Sequence, residues 1–141
     1  MENTLKLKIA TPEKVVFEND ILQVSIPTSS GEITVLPHHI PLVSVVIAGE
    51  LKIKDSNGEV IMAIAGGFLE IRGNNEIIIL ADNAEQAEKI DIDRAQKAHV
   101  RAIKEMEEAK NRSDVDFAKL QAVVDREMNR LKVGKKYKDV K

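Results

Sequence analysis

A β-hairpin is encoded in the segment 51–64, whose sequence is LKIKDSNGEVIMAI. The first half alternates apolar and charged residues, which is typical of a strand that is buried on one face and wet on the other. The second half is apolar, and Asn57-Gly58 lies between the two halves, where it can supply the positive φ angles of a tight turn. The segment therefore predicts two antiparallel strands joined by a short loop.

Similar short runs lie on both sides of this hairpin. They are bounded by Gly, Pro, Asn or Ser, and the glycine pair Gly66-Gly67 is interpreted as a turn between two strands. The further strand candidates are residues 5–9, 21–26, 33–36, 43–47, 68–71 and 76–80. Because no helical stretch separates them, these strands predict an antiparallel sandwich or barrel.

Beyond Leu80 the apolar residues recur with helical spacing. Asp91 is the predicted N-cap of a helix that stops near Asn111, and Ser113 or Asp114 begins a second helix that ends at Val133-Gly134. The first apolar stripe is Ala95, Ala98, Ala102, Met106 and Ala109, and the second is Phe117, Leu120, Val124, Met128 and Leu131. Small residues facing bulky ones across a short turn predict a helical hairpin.

Composition excludes several classes of protein. The chain has 141 residues and no cysteine, so a disulfide framework, a thiolate nucleophile and a thiolate zinc site are excluded. No window approaches the roughly 20 apolar residues that span a bilayer. Residues 1–86 carry 6 Lys and Arg against 12 Asp and Glu, whereas residues 87–141 carry 15 against 11. This asymmetry predicts two parts with different partners.

Catalytic and metal-binding patterns are not found in the sequence. His38 and His39 are adjacent and would point to opposite sides of an extended segment, and His99 is remote from them, so no metal site is predicted. Asp91 and Asp93 are interpreted as an N-cap and a favourable charge for the helix dipole rather than as an acid/base pair. We therefore expect a chain that is not catalytic on its own.

Two features are candidates for binding. At about 100° of rotation per residue, Arg94 and Arg101 lie within about 20° of each other on one helix face. With the pair Arg126 and Arg130, they are compatible with three interpretations: a solvated face, an ion-pair ladder or a phosphate site. Spacing alone favours the solvated face, because acidic residues are available nearby as ion-pair partners. The loop GEITVLPHHIPL, residues 31–42, is either a rigid connection or a docking loop.

Four stretches carry a resemblance to a known family. They are residues 31–42, AGEL at 48–51, GGFLEI at 66–71 and LADNAE at 80–85. Their order and spacing, followed by the helical hairpin, resemble the epsilon subunit of the F-type rotary ATP synthase over essentially the full length. The family usually has glycine at the positions of Thr34 and His38.

The resemblance implies an architecture and a set of partners. It implies a ten-stranded antiparallel β-sandwich over residues 1–86 and a regulatory two-helix hairpin over residues 87–141. In the family the sandwich binds the gamma subunit and the c-ring, and Glu32 and His39 match loop positions associated with the c-ring contact. The extended hairpin reaches the alpha and beta subunits and restrains ATP hydrolysis. We therefore expect a non-catalytic, peripheral subunit on the cytoplasmic face of the bacterial plasma membrane, which contacts the membrane only through the complex.

The resemblance also implies a regulatory ATP site. Residues 90–95, IDIDRA, fit the Ile/Leu-Asp-x-x-Arg-Ala motif with which some bacterial epsilon subunits bind ATP. The implied contacts are Glu85, Ile90, Asp91, Arg94, Ala95, Arg101, Arg126 and Arg130. The family often has Arg-Ala on the second helix where this chain has Arg126-Glu127, a carboxylate that would weaken binding. The implied function requires no cofactor, with ATP as a regulatory ligand only.

Two other functions compete with this one. A free-standing ATP-binding sensor predicts a monomer without an exposed apolar face for gamma. A nucleic-acid-binding module is disfavoured, because aromatic residues make up 3% of the chain and acids are interleaved with the basic residues.

Overall fold

The computed structural model describes residues 3–110 and 116–137, and the chain divides into two units between Gln86 and Ala87. The first unit contains eight strands within the described residues. They are β1 Leu5–Ala10, β2 Val15–Ile21, β3 Gln23–Thr28, β4 Gly31–Val35, β5 Leu42–Val46, β6 Gly49–Asp55, β7 Gly58–Arg72 and β8 Glu76–Gln86.

The strands form a β-sandwich whose hydrogen bonding follows the order β2-β1-β8-β7-β5-β3-β4, with β6 paired to β3 and β7. The predicted ten-stranded antiparallel arrangement is wrong in two respects. β1 pairs with β8 in parallel, and β7 is one strand of 15 residues where two short strands were expected. β7 pairs with β6 through residues 58–64 and with β5 through residues 67–71, so a single long strand joins both sets of partners.

The interpretation of Gly66-Gly67 as a turn is therefore also wrong. Both glycines lie inside β7 with positive φ angles of 60° and 149°, which a glycine adopts without steric cost. A Cβ at Gly67 would overlap the backbone oxygen of Leu80 on β8. The two glycines let the strand change partners while its backbone stays against β8.

The predicted hairpin is confirmed, because Asp55 on β6 pairs with Gly58 on β7. Gly58 alone supplies a positive φ angle, of 134°, since Asn57 is not in the left-handed region. The alternation predicted for β1 is also confirmed: Leu5, Leu7 and Ile9 are at most 1% exposed, and the lysines between them are exposed. Such alternate apolar residues of the eight strands form the core of the sandwich.

The second unit contains a short 3-10 helix at Ala87–Lys89, helix α1 at Ile92–Glu108 and helix α2 at Phe117–Tyr137. Asp91 is the N-cap of α1, as predicted, and its carboxylate accepts a hydrogen bond of 3.0 Å from the backbone N–H of Arg94. The predicted start of the second helix at Ser113 or Asp114 lies outside the described residues. Helix α1 ends at Glu108, close to the predicted stop at Asn111.

Helix α2 differs from its prediction at its C-terminal end and along its buried side. It continues past Gly134 to Tyr137, because Gly134 is an internal helical residue that packs beside Ile90 and Ile92. Of the predicted stripe, Val124 and Leu131 are buried and Leu120 is half-buried, but Phe117 and Met128 are exposed. Four of the buried positions follow a 3, 4, 3 spacing, namely Val124, Glu127, Leu131 and Gly134, and Val133 is buried beside them. The predicted stripe included Met128 because it contained apolar residues only, whereas the structure buries the carboxylate of Glu127 instead.

The buried side of α1 is made of alanines. Ala95, Ala102 and Ala109, seven residues apart, are at most 3% exposed, while Ala98 and Met106 are half-buried. α1 packs against α2, so the predicted helical hairpin is confirmed. None of the helices in residues 3–110 and 116–137 is long and apolar enough to cross a membrane.

Candidate functional site

The basic residues of the hairpin lie in two different environments. On α1, the side chains of Arg94 and Arg101 are exposed and form no ion pair with another residue of the described ranges. On α2, Arg126 and Arg130 both bind the carboxylate of Glu127. The solvated-face interpretation therefore describes α1, whereas α2 carries a partly buried ion cluster.

Glu127 is the centre of that cluster. Its side chain is 4% exposed, and Nη1 of Arg130 donates to its two carboxylate oxygens at 2.7 and 3.2 Å. Nη2 of Arg126 lies 3.4 Å from one of the same oxygens. Charge-assisted hydrogen bonds of this length are among the stronger polar contacts in proteins, and they compensate the burial of the carboxylate.

The other residues of the predicted ATP site differ in burial and in local role. Asp91 is committed to capping α1, Ile90 is 8% exposed, and Ala95 is fully buried. Glu85 belongs to the first unit, where it is half-buried on β8. The structure thus brings Arg126 and Arg130 together through Glu127, and it holds Asp91 against the backbone of Arg94.

The loop between β4 and β5 is held by hydrogen bonds between backbone and side-chain atoms. His38 has a positive φ angle of 70°, a conformation that favours glycine, and its N–H donates to Oδ1 of Asn75 at 2.7 Å. The Nδ1 of His39 donates to the backbone oxygen of Ile40 at 2.7 Å. In the loop, Leu36 is 52% and Ile40 is 74% exposed, and Glu32 is exposed on the preceding strand β4, so this region presents two large apolar side chains and one carboxylate to solvent.

An exposed apolar row crosses three neighbouring strands. Val45 on β5 pairs with Phe68 on β7, and Phe68 pairs with Leu80 on β8. These three residues, the outer apolar row, are 44%, 60% and 57% exposed, and Val43 on β5 is 68% exposed. Large apolar patches on a protein surface mark contact sites for other molecules.

Sequence reasoning did not identify the outer apolar row. The signal was present in residues 43–47, VSVVI, where apolar residues occupy both faces of a strand instead of one. The cross-strand register that places Phe68 and Leu80 beside Val45 cannot be read from the sequence. Within residues 3–110 and 116–137, no group of three or more His, Asp and Glu residues is arranged to hold a metal ion.

These features define a binding protein: a β-sandwich with an exposed apolar row, followed by a helical hairpin with a basic face. Two family models cover nearly the whole chain. The beta-sandwich domain of the ATP synthase delta/epsilon chain matches residues 4–87, and the long alpha-helix domain of the same chain matches residues 88–135.

Bacterial relatives match over almost their full length. An ATP synthase epsilon chain of Desulforamulus reducens is 37% identical over 95% of this chain and 99% of the relative. Another, of Dehalococcoides mccartyi, is 43% identical over 94% of this chain and 93% of the relative. The chain therefore belongs to the ATP synthase delta/epsilon family, and its role is that of the non-catalytic epsilon subunit of the central stalk. The free-standing sensor is not favoured.

Solved structures support the same fold. A chain in the Euglena gracilis mitochondrial ATP synthase aligns with a TM-score of 0.68 at 22% identity, covering 93% of this chain and 80% of that one. A chain in the Tetrahymena thermophila mitochondrial ATP synthase central stalk and c-ring aligns with a TM-score of 0.59 at 16% identity, covering 94% of each. These two structures show the fold, and the family models and bacterial relatives confirm the resemblance seen in the sequence.

Proposed function

We propose that the outer apolar row of the sandwich binds the gamma subunit of the synthase. The observation that carries this proposal is the alignment of Val45, Phe68 and Leu80 on adjacent strands, with three large apolar side chains about half exposed. Fully burying an exposed side chain of this kind contributes about 1.5–3 kcal/mol, and these three are already about half buried, so covering the remainder contributes about half of that for each. A neighbouring protein subunit that covers the outer apolar row gains this free energy of burial.

The test is binding of the full chain to the gamma subunit of the same synthase. Phe68→Glu places a charge in the centre of the row and is expected to weaken binding by at least about 30-fold, equivalent to about 2 kcal/mol. Leu22→Glu is the matched control, because Leu22 is 43% exposed but lies outside the row. Wild-type affinity in the Phe68 variant, with normal affinity in the control, would contradict the proposal.

The loop between β4 and β5 is the proposed contact with the c-ring. Its fixed backbone, the exposed Glu32 and the exposed Ile40 beside His39 suit a small rigid contact on another protein. The location that we propose with this contact is the cytoplasmic face of the bacterial plasma membrane, with the membrane contacted only through the complex. Glu32→Lys is expected to reduce recovery of c-ring with the chain while gamma binding is kept.

We further propose that the hairpin regulates hydrolysis by extending toward the alpha and beta subunits. The buried side of α1 consists of alanines, which offer little apolar area for packing against α2. On α2, one of the buried positions is taken by the charged Glu127 instead of an apolar side chain. A hairpin with such a small apolar interface is suited to opening at modest cost. Restraint of hydrolysis then requires that the opened form makes contacts with alpha and beta that the closed form cannot make.

A regulatory ATP site on the hairpin is the last part of the proposal. The exposed, unpaired guanidiniums of Arg94 and Arg101 support it, since both are available to a phosphate group. The test is calorimetric titration of the full chain with magnesium-free ATP, repeated on Arg94→Ala. Binding that is lost in the variant supports the site, whereas binding that is equal in both proteins would contradict it.

A further inference from the structure

Glu127 is unusual because its carboxylate is buried on the same side of α2 as Val124 and Leu131. The residue is 3% exposed, and acidic side chains are almost never buried to this degree without partners. Its partners are Arg126 and Arg130, two of the four arginines implied in nucleotide binding. The carboxylate therefore lies where a ligand for those two arginines would need to place its own negative charge.

The pairing is built into one helix. Arg130 follows Glu127 by three residues and Arg126 precedes it by one, so a single turn of α2 holds all three groups. The Nη1 of Arg130 is shared between the two carboxylate oxygens. Because the helix fixes this geometry in advance, forming the pair requires little ordering beyond that of the helix itself.

Arg126 has a side-chain donor that its contact with Glu127 does not use. The Nε of Arg126 is buried and donates no hydrogen bond within the described part of the chain. A polyphosphate offers more acceptor oxygens and more negative charge than a carboxylate, which suits it to replace the Glu127 carboxylate on these guanidiniums.

We infer that Glu127 acts as an internal anion that occupies the polyphosphate position of the α2 arginines. This inference rests on the proposed ATP site. At that site, nucleotide must compete with the carboxylate of Glu127, which the helix holds in place. Like charges a few ångströms apart repel, and burial strengthens that repulsion. ATP affinity is therefore lowered by Glu127, and the paired state of the α2 arginines does not depend on nucleotide.

The experiment is calorimetric titration of the full chain with two probes, inorganic tripolyphosphate and magnesium-free ATP. Glu127→Gln removes the charge and keeps the size of the side chain. We expect it to bind both probes at least about tenfold more tightly than the wild type, equivalent to about 1.4 kcal/mol. Asp125→Asn is the matched control, because it makes the same change in net charge next to Arg126. Asp125 is exposed, and its carboxylate accepts a hydrogen bond from the side chain of Gln121. The control is expected to stay within about twofold of the wild type, because exposed charges are screened by solvent.

Equal affinity in Glu127→Gln and the wild type would overturn the inference. If in that case the wild type binds ATP and Arg94→Ala does not, the proposed ATP site still stands. Conversely, tighter binding of tripolyphosphate by Glu127→Gln, with no preference for ATP and no effect of Arg94→Ala, supports the internal anion and contradicts the ATP site.

If the Glu127→Gln variant has lost its helical structure, the same variant is tested by ligand-induced refolding. A half-buried Arg130 without this carboxylate can destabilise the hairpin, and ligands that bind only the folded state restore it. In that case the helical signal in far-ultraviolet circular dichroism is followed during titration with tripolyphosphate. Recovery of the signal supports the inference, and no recovery at saturating probe overturns it.

Discussion

Gly134 offers a sharp test of how α2 packs in the hairpin. The structure places it inside the helix, where an added Cβ would lie 3.1 Å from Cγ2 of Ile90 and 3.2 Å from Cγ1 of Ile92. The sequence pattern had instead predicted a helix end at this glycine. The two descriptions make opposite predictions for alanine at position 134.

The magnitude follows from the packing. Alanine gains about 1 kcal/mol of helix propensity over glycine. The two Ile side chains must shift by a few tenths of an ångström, which offsets part of that gain, so Gly134→Ala is expected to lie within about 0.5 kcal/mol of the wild type. Gly134→Leu drives further atoms into the same side chains and is expected to destabilise the hairpin by about 1–3 kcal/mol. A left-handed C-cap glycine would instead lose about 1 kcal/mol or more on substitution by alanine.

The assay is urea unfolding of the full chain followed by far-ultraviolet circular dichroism, which reports the two helices. Ala122→Leu on the exposed side of α2 is the matched control and is expected to change stability by no more than about 0.5 kcal/mol. Unchanged stability in Gly134→Leu, or destabilisation by about 1 kcal/mol or more in Gly134→Ala, would refute the packing described here.

Three further substitutions test other parts of the account. Asp91→Ala removes the N-cap of α1 and is expected to cost about 0.5–2 kcal/mol of helix stability in urea unfolding, while Asp91→Asn costs little. Gly67→Ala forces a Cβ into a backbone oxygen of β8 at a positive φ angle, so we expect loss of about 3 kcal/mol or more and little soluble protein; a normal melting temperature would contradict this. Asn75→Ala removes the acceptor for the His38 N–H, and we expect faster amide hydrogen exchange at His38 with a loss of about 1–3 kcal/mol; unchanged exchange would show that this bond does not hold the loop.

Local patterns in the sequence were sufficient to predict most elements of the sandwich. The alternation in β1 and the turn before Gly58 depend on neighbouring residues, and both are found in the structure. The continuity of β7 through Gly66 and Gly67 could not be predicted, because paired glycines are more common in turns. What keeps the strand intact is its hydrogen bonding to β8 on both sides of the glycines, a contact between segments distant in sequence.

In the candidate sites, too, the features set by neighbouring residues were predicted and the others were not. The N-cap role of Asp91 and the exposed arginines of α1 follow from local spacing. The burial of Glu127 could not be predicted from local spacing, because hydrophobic periodicity assigns a carboxylate to the surface. In the structure two arginines compensate its charge. The bond between His38 and Asn75 spans 37 residues, so the fixed geometry of the β4–β5 loop was likewise not visible in the sequence.

The central proposal is that this non-catalytic synthase subunit restrains ATP hydrolysis when it is bound to the complex. It is tested most directly by the ATP hydrolysis rate of an alpha-beta-gamma complex from the same source, measured with and without the full chain. Co-fractionation establishes that the chain is bound, and the chain alone is assayed in parallel. We predict that the bound chain lowers the rate and that the chain alone does not hydrolyse ATP. An unchanged rate with the chain bound, or hydrolysis by the chain alone, would contradict the account.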